Sequence, residues 1–272
     1  MGLLDRGIEY KSPDQIDGMR RAGLVVGHTL ELLRATVRAG ISTAELDAVA
    51  DDSIRSRGAT PSFLGYHGFP ASICASVNDE VVHGIPGERV LADGDVVSID
   101  CGAIVEGWHG DAAVTVAVGA VTDEVTRLME VTEESLWQGI AAARLGGRVS
   151  DISHAVESSV RAAGGYGILE DYVGHGIGSA MHQPPNVPNY GRPGRGPKLV
   201  QGLVLAVEPM ITLGDQATEV LEDDWTVVTA DGRWAAHYEH TFTLTPNGTW
   251  VLTALDGGEA RLAALGVPFG GR

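Results

Sequence analysis

Gly94-Asp-Val-Val-Ser-Ile-Asp100 and Gly202-Leu-Val-Leu-Ala-Val-Glu208 share one pattern, a glycine, a short apolar run and a terminal carboxylate, at a spacing of 108 residues. Runs of this length bounded by turn residues read as buried strands rather than helices. A carboxylate at the end of such a strand is costly unless something partners it. The neighbouring sequence repeats at almost the same interval: an offset of 106 lays Arg38 to Gly58 over Arg144 to Gly164, with identities at Arg38/Arg144, Gly40/Gly146, Ser53/Ser159, Arg55/Arg161 and Gly58/Gly164. The 108-residue offset also sets His67 over His175. Self-similarity at a fixed period points to a duplicated unit. The expectation is an α+β fold made of two helix-helix-strands copies, each bringing a carboxylate strand to a shared centre.

The segments around these strands supply the helices. Apolar residues at helical spacing over 14–39, preceded by Ser12 and Pro13, predict a first long helix. Ser42-Thr43-Ala44-Glu45 resembles a capping box opening a second helix that runs to about Arg57 and stops at Gly58. Gly-rich turns and β-branched runs around Ile73, Val81, Val96 and Val114 predict antiparallel strands, and helices return between about Thr122 and Ala163. Asn247-Gly248-Thr249 reads as a turn between strands.

Composition narrows the class. With 36 Asp and Glu against 19 Lys and Arg, the net charge is −17, which argues against a general DNA or anionic-membrane binder. At 44% hydrophobic and 20% charged residues, the 272-residue chain can bury a substantial core. No apolar run approaches the roughly 18 residues of a membrane span. The start, Met1 to Arg6, carries no apolar signal region, and Cys74 and Cys101 are too few for a disulfide framework, so a reducing cytoplasm is expected.

The carboxylates can be placed by register. With a turn at Glu106-Gly107, Val105 pairs with Trp108 and Asp111 falls opposite Gly102. Asp100 is then its diagonal neighbour on the same face, about 7 to 8 Å away at the backbone. Two facing carboxylates repel unless a proton or a cation stands between them. Glu208 ends the second apolar strand, with Pro209 stopping the ladder directly after it. Glu239 sits in the alternating stretch Tyr238 to Leu244, on the same face as the threonines. His175 lies in Gly174-His175-Gly176-Ile177-Gly178, where glycines permit close backbone approach. Four carboxylates with one imidazole suit divalent Mn, Fe or Co better than a thiolate-bound zinc.

Gly65-Tyr66-His67-Gly68-Phe69-Pro70 with Cys74, Val82-His83-Gly84-Ile85-Pro86, Asp100, Asp111, Gly174-His175-Gly176-Ile177-Gly178, His182, Val207-Glu208-Pro209-Met210 and Tyr238-Glu239-His240-Thr241 form an ordered set. Together they resemble the type I methionine aminopeptidases of the pita-bread fold, over about residues 12 to 255. The resemblance implies one catalytic metallopeptidase domain over 1–272, with pseudo-twofold halves of about 12–120 and 121–255 around a central antiparallel sheet. It implies two divalent ions, Co, Mn or Fe, with Zn or Ni as further choices. Asp100 would hold one ion, His175 and Glu208 the other, and Asp111 and Glu239 would bridge them. The implied reaction removes the initiator methionine from nascent polypeptide N-termini when the second residue is small, by attack of a metal-activated hydroxide on the first peptide bond. Glu208 would move the proton, His83 and His182 would contact the scissile carbonyl and the substrate backbone, and Tyr66, His67, Cys74 and Trp225 would line the methionine pocket. Before His182, where many members carry an aromatic, this chain has Met181, a flexible thioether that can fill a thioether pocket.

Rival readings have sequence signatures of their own. The segment between His175 and Glu208 leaves no room for the helical insertion of type II enzymes, and no zinc-binding cysteine extension precedes the helices. Proline-specific peptidases share the ligand set but carry a separate preceding domain, whereas here the catalytic helices are expected from near residue 14. A metal-free binding module on the same scaffold would not need all five ligands. Arg192, Arg195 and Lys198 make one basic loop in an acidic protein, read as a solvated cleft rim or as a transient contact with ribosomal RNA. A monomer is expected.

Overall fold

The computed structural model describes residues 7–272; the reading of Met1 to Arg6 lies outside them. Helix α1 spans Pro13–Thr36 and α2 spans Thr43–Ser56. Both open on reciprocal capping boxes, Ser12 with Gln15 and Ser42 with Glu45, which satisfy the orphan N–H groups of each first turn. The first helix ends three residues earlier than expected. Val37 still donates its N–H to the Leu33 carbonyl at 2.9 Å, but its own backbone is extended (φ −57°, ψ 123°) and leads into a turn at Gly40.

The second copy reproduces the first. Helix α3 spans Asp123–Ala142 and α4 spans Val149–Ala163, so the end of α3 and the start of α4 each fall 106 residues after their counterparts. The correspondence extends to single hydrogen bonds. Gly40 N–H donates to the Leu91 carbonyl and Gly146 N–H to the Leu199 carbonyl, both at 2.8 Å. In return, Leu91 donates to Ile41 and Leu199 to Gly147. Gly40 and Gly146 share a left-handed backbone (φ 87° and 88°), as do Gly94 and Gly202 (φ 96° and 88°). The repeat does not reach local conformation at His67, which sits in the 3₁₀ turn Tyr66–Gly68, whereas His175 sits in a strand.

The strands are antiparallel throughout. In the first half, Val96–Val105 pairs along its whole length with Trp108–Ala117 on one edge, and with Ile73–Val77 and then Thr60–Pro61 in succession on the other. Gly102 stands opposite Asp111 and Asp100 opposite Ala113, the register that the Glu106-Gly107 turn predicts. In the second half the order is Gly248–Val251, His240–Thr245, Val204–Val207, Gly174–Gly176, Gln183–Val187. Two three-stranded ribbons complete the framework. Helix α1 lies against the strands Val96–Val105 and Trp108–Ala117, and α3 against α4 and Ala235–His237. Their apolar faces close one large core that includes the fully buried Leu33, Leu46, Ile54, Ile99, Leu128, Ile140 and Ile152.

The stretch Tyr238 to Leu244 is not one strand. Pairing runs through Ala235–His237 and resumes at His240, while the facing chain breaks between Val207 and Met210. Pro209 has no N–H to give to a ladder, so Glu208-Pro209 and Tyr238-Glu239 bulge out together. The backbone of Glu239 turns instead to Ala113: its N–H donates to the Ala113 carbonyl at 2.9 Å, and Ala113 N–H donates back at 3.3 Å. Thr241 adds a second stitch, its hydroxyl donating to the Asp111 carbonyl at 2.8 Å and accepting from Asp111 N–H at 3.2 Å. These bonds join the sheet of one half to the sheet of the other. Thr241→Val should leave both Asp111 backbone groups unpaired in a buried place and cost roughly 1–3 kcal/mol, read as a lower urea midpoint at constant slope.

Candidate metal centre and active site

At this seam, Asp111, His175 and Glu239 each offer a ligand atom, and the three atoms lie within 4.8 Å of one another. Glu208 Oε1 is 3.5 Å from His175 Nε2, and Asp111 Oδ2 is 4.0 Å from it. The Asp100 and Asp111 carboxyls hydrogen-bond to each other, which needs a proton between them when no cation is present. All five predicted ligand positions therefore converge. Asp100 and Asp111 come from one hairpin, Glu208 and Glu239 from the paired bulge of the other half, and His175 from the strand beside Val204–Val207. His175 gets that close because its flanking residues have no side chains. A Cβ on Gly174 would stand 2.4 Å from the Ala206 carbonyl oxygen, and one on Gly176 would stand 2.3 Å from that of Pro184.

The electrostatics are those of a site waiting for positive charge. Burial raises Asp100 from 3.8 to about 7, partly opposed by hydrogen bonds from Asp111 and the Cys101 N–H. Burial, and then the neighbouring carboxylates, push Asp111, Glu208 and Glu239 well above the usual carboxylate range. Asp100 Oδ1, Asp111 Oδ1 and Glu239 Oε1 are buried with no hydrogen-bond partner, although buried oxygens are ordinarily satisfied. Oxygen atoms that accept nothing from the protein, gathered around a neutral imidazole, fit divalent cations. Burial and the nearby His182 lower His175 to about 3, so its ring is uncharged at neutral pH. Nδ1 shares a 2.9 Å hydrogen bond with the Gly176 carbonyl, which must be accepting, so Nδ1 carries the hydrogen and the Nε2 lone pair faces the carboxylates.

Beside this cluster is a cavity of about 250 Å³. Its apolar end is a small core of Phe63, Phe69, Ala71, Cys74 and Met181, with Tyr66 and Trp225 packed against it. Cys74 is the direct cross-strand partner of Asp100, so the apolar end adjoins the carboxylates by register. Trp225 meets Phe69 edge-on at 5.1 Å and His83 at 6.1 Å. His67 stands exposed at the rim, its ring 4.3 Å from Tyr66. His83 has a left-handed backbone (φ 61°), and burial, then His182, lowers it to about 4, so it too is neutral. His182 packs edge-on to His175 at 4.3 Å, and its Nδ1 shares a 2.9 Å hydrogen bond with the Tyr66 hydroxyl.

Three further aromatic residues, Phe63, Phe69 and Tyr172, join the site. Phe63 and Phe69 line the cavity, and Tyr172 stacks edge-on against His83 at 5.6 Å. Phe69 lay within a quoted motif, but nothing in one sequence marks Tyr172, which reaches His83 only through packing.

A family model described as metallopeptidase family M24 matches residues 17–246. The chain is 54% identical over 254 residues to methionine aminopeptidase 1 of Mycobacterium tuberculosis, covering 91% of this chain and 96% of the relative. It is similar to the methionine aminopeptidase structure from Thermotoga maritima, with a TM-score of 0.89 and 40% identity over 91% of this chain and 99% of that one. A prolidase from Pyrococcus furiosus shares the fold at a TM-score of 0.72 and 20% identity, but this chain covers only 65% of it.

In metal-stripped protein the buried carboxyls hold protons that the unfolded chain would release. Because Asp100 is raised, its contribution to stability is present below about 3.8 and is lost as pH rises through about 7. The stripped protein should therefore lose stability across that window, and divalent metal should restore it. Metal binding near neutrality should release protons, measured as a calorimetric enthalpy that changes with the ionisation heat of the buffer.

Proposed function

Because the chain belongs to the methionine aminopeptidases of metallopeptidase family M24, we propose that it removes the initiator methionine from nascent polypeptides whose second residue is small. The observation that carries this reading is the joining of a cavity of about 250 Å³ with an apolar end to a buried, cation-seeking cluster, with two neutral histidines on its walls.

In this reading Asp100, Asp111, His175, Glu208 and Glu239 hold two divalent ions, of which Co, Mn and Fe suit the oxygen-rich set and Zn or Ni are further choices. Such ions would polarise a carbonyl as Lewis acids and lower the pKa of water towards about 7. Glu208, whose carboxyl is largely buried and held well above its ordinary range, takes the proton of the attacking water and returns it to the leaving amine. His83, uncharged and held between Trp225 and Tyr172, donates a hydrogen bond to the carbonyl oxygen as the carbon becomes tetrahedral. His182 engages the substrate backbone with the ring nitrogen that Tyr66 leaves free. Cys74, Met181, Tyr66, His67 and Trp225 enclose the methionine side chain.

In this reading the chain is one catalytic domain over 1–272 that works as a monomer, and the described residues of one chain supply the whole site, as that requires. Both cysteines are free, in keeping with a reducing cytoplasm, and no helix among the described residues is long and apolar enough to cross a membrane. Arg192, Arg195 and Lys198 are exposed, as transient contact with ribosomal RNA requires.

In a Met-X-Ser peptide series, turnover should fall steeply as X grows from Gly to Leu, and similar rates across the series would overturn the reading. His83→Ala should lower kcat by roughly a hundred- to a thousand-fold, the usual loss for one such donor, with metal content unchanged. Loss of metal in that variant would make His83 a ligand instead.

A further inference from the structure

Residues 7–12 run ahead of α1 and pass behind the turn that links His175 to His182. Two of them point charged groups into it. The Lys11 side chain is 1% exposed, an unusual burial for an ammonium, and it touches neither the cavity nor the carboxylate cluster. Its Nζ donates to the Glu9 carbonyl at 3.1 Å and to Gln183 Oε1 at 3.2 Å, and it pairs with Glu9 Oε2 at 3.4 Å. Glu9 Oε2 in turn accepts from Ser179 N–H at 3.0 Å and from Gln183 Nε2 at 2.9 Å. The Gln183 amide is thus held at both ends, its oxygen by Lys11 and its nitrogen by Glu9, and the three side chains form a closed ring.

The ring spans the two arms of one excursion. Gly176 pairs with Gln183 across the base of the turn, and Met181 and His182 lie between. Met181 walls the methionine cavity and His182 stands against His175 and Tyr66. The strap is anchored on its far side, where Lys11 N–H donates to the Gly202 carbonyl at 2.8 Å. Its fit against the turn allows no slack: a Cβ on Gly178 would fall 2.2 Å from Glu9 Oε2 and 2.3 Å from Lys11 Cε. Burial, which alone would raise Glu9, is outweighed by hydrogen bonds from Ser179 and Gln183 and by the charge of Lys11, which bring it down to about 2, so its carboxylate is ionised at neutral pH.

We infer that Glu9 and Lys11 are positioning residues that clasp the Gly178–Gln183 turn and thereby set the substrate-binding wall formed by Met181 and His182. This rests on the proposed aminopeptidase reading for its kinetic readout. Neither residue touches a metal ligand, so the clasp acts on how the substrate is held and leaves the metal cluster and Glu208 alone.

Glu9→Ala, Lys11→Met and the conservative Glu9→Gln test this in the full-length, metal-loaded enzyme. Loss of one charge-assisted contact to the turn should raise KM for a Met-Gly-Ser peptide about tenfold in Glu9→Ala and Lys11→Met. In both variants kcat should stay within about threefold and metal stoichiometry should be unchanged. Glu9→Gln keeps an acceptor for Ser179 N–H and should recover most of the KM. Amide hydrogen exchange across 177–183, read by mass spectrometry, should speed up in Glu9→Ala and remain near wild type in Glu9→Gln. An unchanged KM, or a fall in kcat together with metal loss, overturns the clasp. Unchanged exchange overturns it independently of activity, which covers a Lys11→Met variant too unstable to assay. A wild-type enzyme that fails to cleave the peptide, yet shows the exchange difference, overturns the aminopeptidase reading and leaves the clasp standing.

Discussion

Four carboxylates share one largely buried pocket where two sheets meet, and the rest of the molecule is arranged around the cost of keeping them there. In that environment burial raises Asp100 to about 7, and burial together with repulsion from neighbouring carboxylates holds Asp111, Glu208 and Glu239 well above their ordinary range. Only protons or cations relieve such a set. Three of its oxygens have no protein donor, so the protein has left the compensation to something it binds. The histidine beside them is uncharged and its hydrogen is fixed on the nitrogen facing away. That arrangement presents a lone pair to a cation.

The duplication explains why this pocket lies at the seam. Each copy has a glycine turn, a buried strand and a carboxylate at the strand end, and the copies face each other across the Ala113–Glu239 pair. The second copy is not a literal repeat of the first. Where the first half carries both aspartates on one regular hairpin, the second carries both glutamates in a break that Pro209 imposes on the ladder. The break frees the Glu239 backbone to bond across the seam, and the longer glutamate side chains reach from it.

Register also decides what adjoins the cluster. Cys74 faces Asp100 across one strand pair, which brings the apolar cavity directly against the carboxylates with no intervening layer. The opposite wall is a turn rather than a strand, and a turn exposed at its tip needs an outside support. Glu9 and Lys11 supply contacts there from a segment that is remote in sequence but adjacent in space.

Much of this is legible in the sequence. Helix starts were readable because capping depends on residues three apart, as Ser12 with Gln15 and Ser42 with Glu45 illustrate. The Asp100–Asp111 relation followed from a tight turn, because the two-residue period of a strand fixes which side chains share a face. The duplication was visible as spaced identities, and the motifs around His175, Glu208 and Glu239 carried the family resemblance. Other features were decided only by tertiary structure. The break at Tyr238-Glu239 looked like continuous alternation, since nothing local reveals that the facing strand contains Pro209. Tyr172 beside His83, and the ring of Glu9, Lys11 and Gln183 behind His182, join residues up to 174 positions apart. Sequence by itself determined the local elements and the residue types that the chemistry needs, because those obey short-range periodicities. Which distant groups meet, and therefore which charges are left unpaired, depends on how the chain closes on itself.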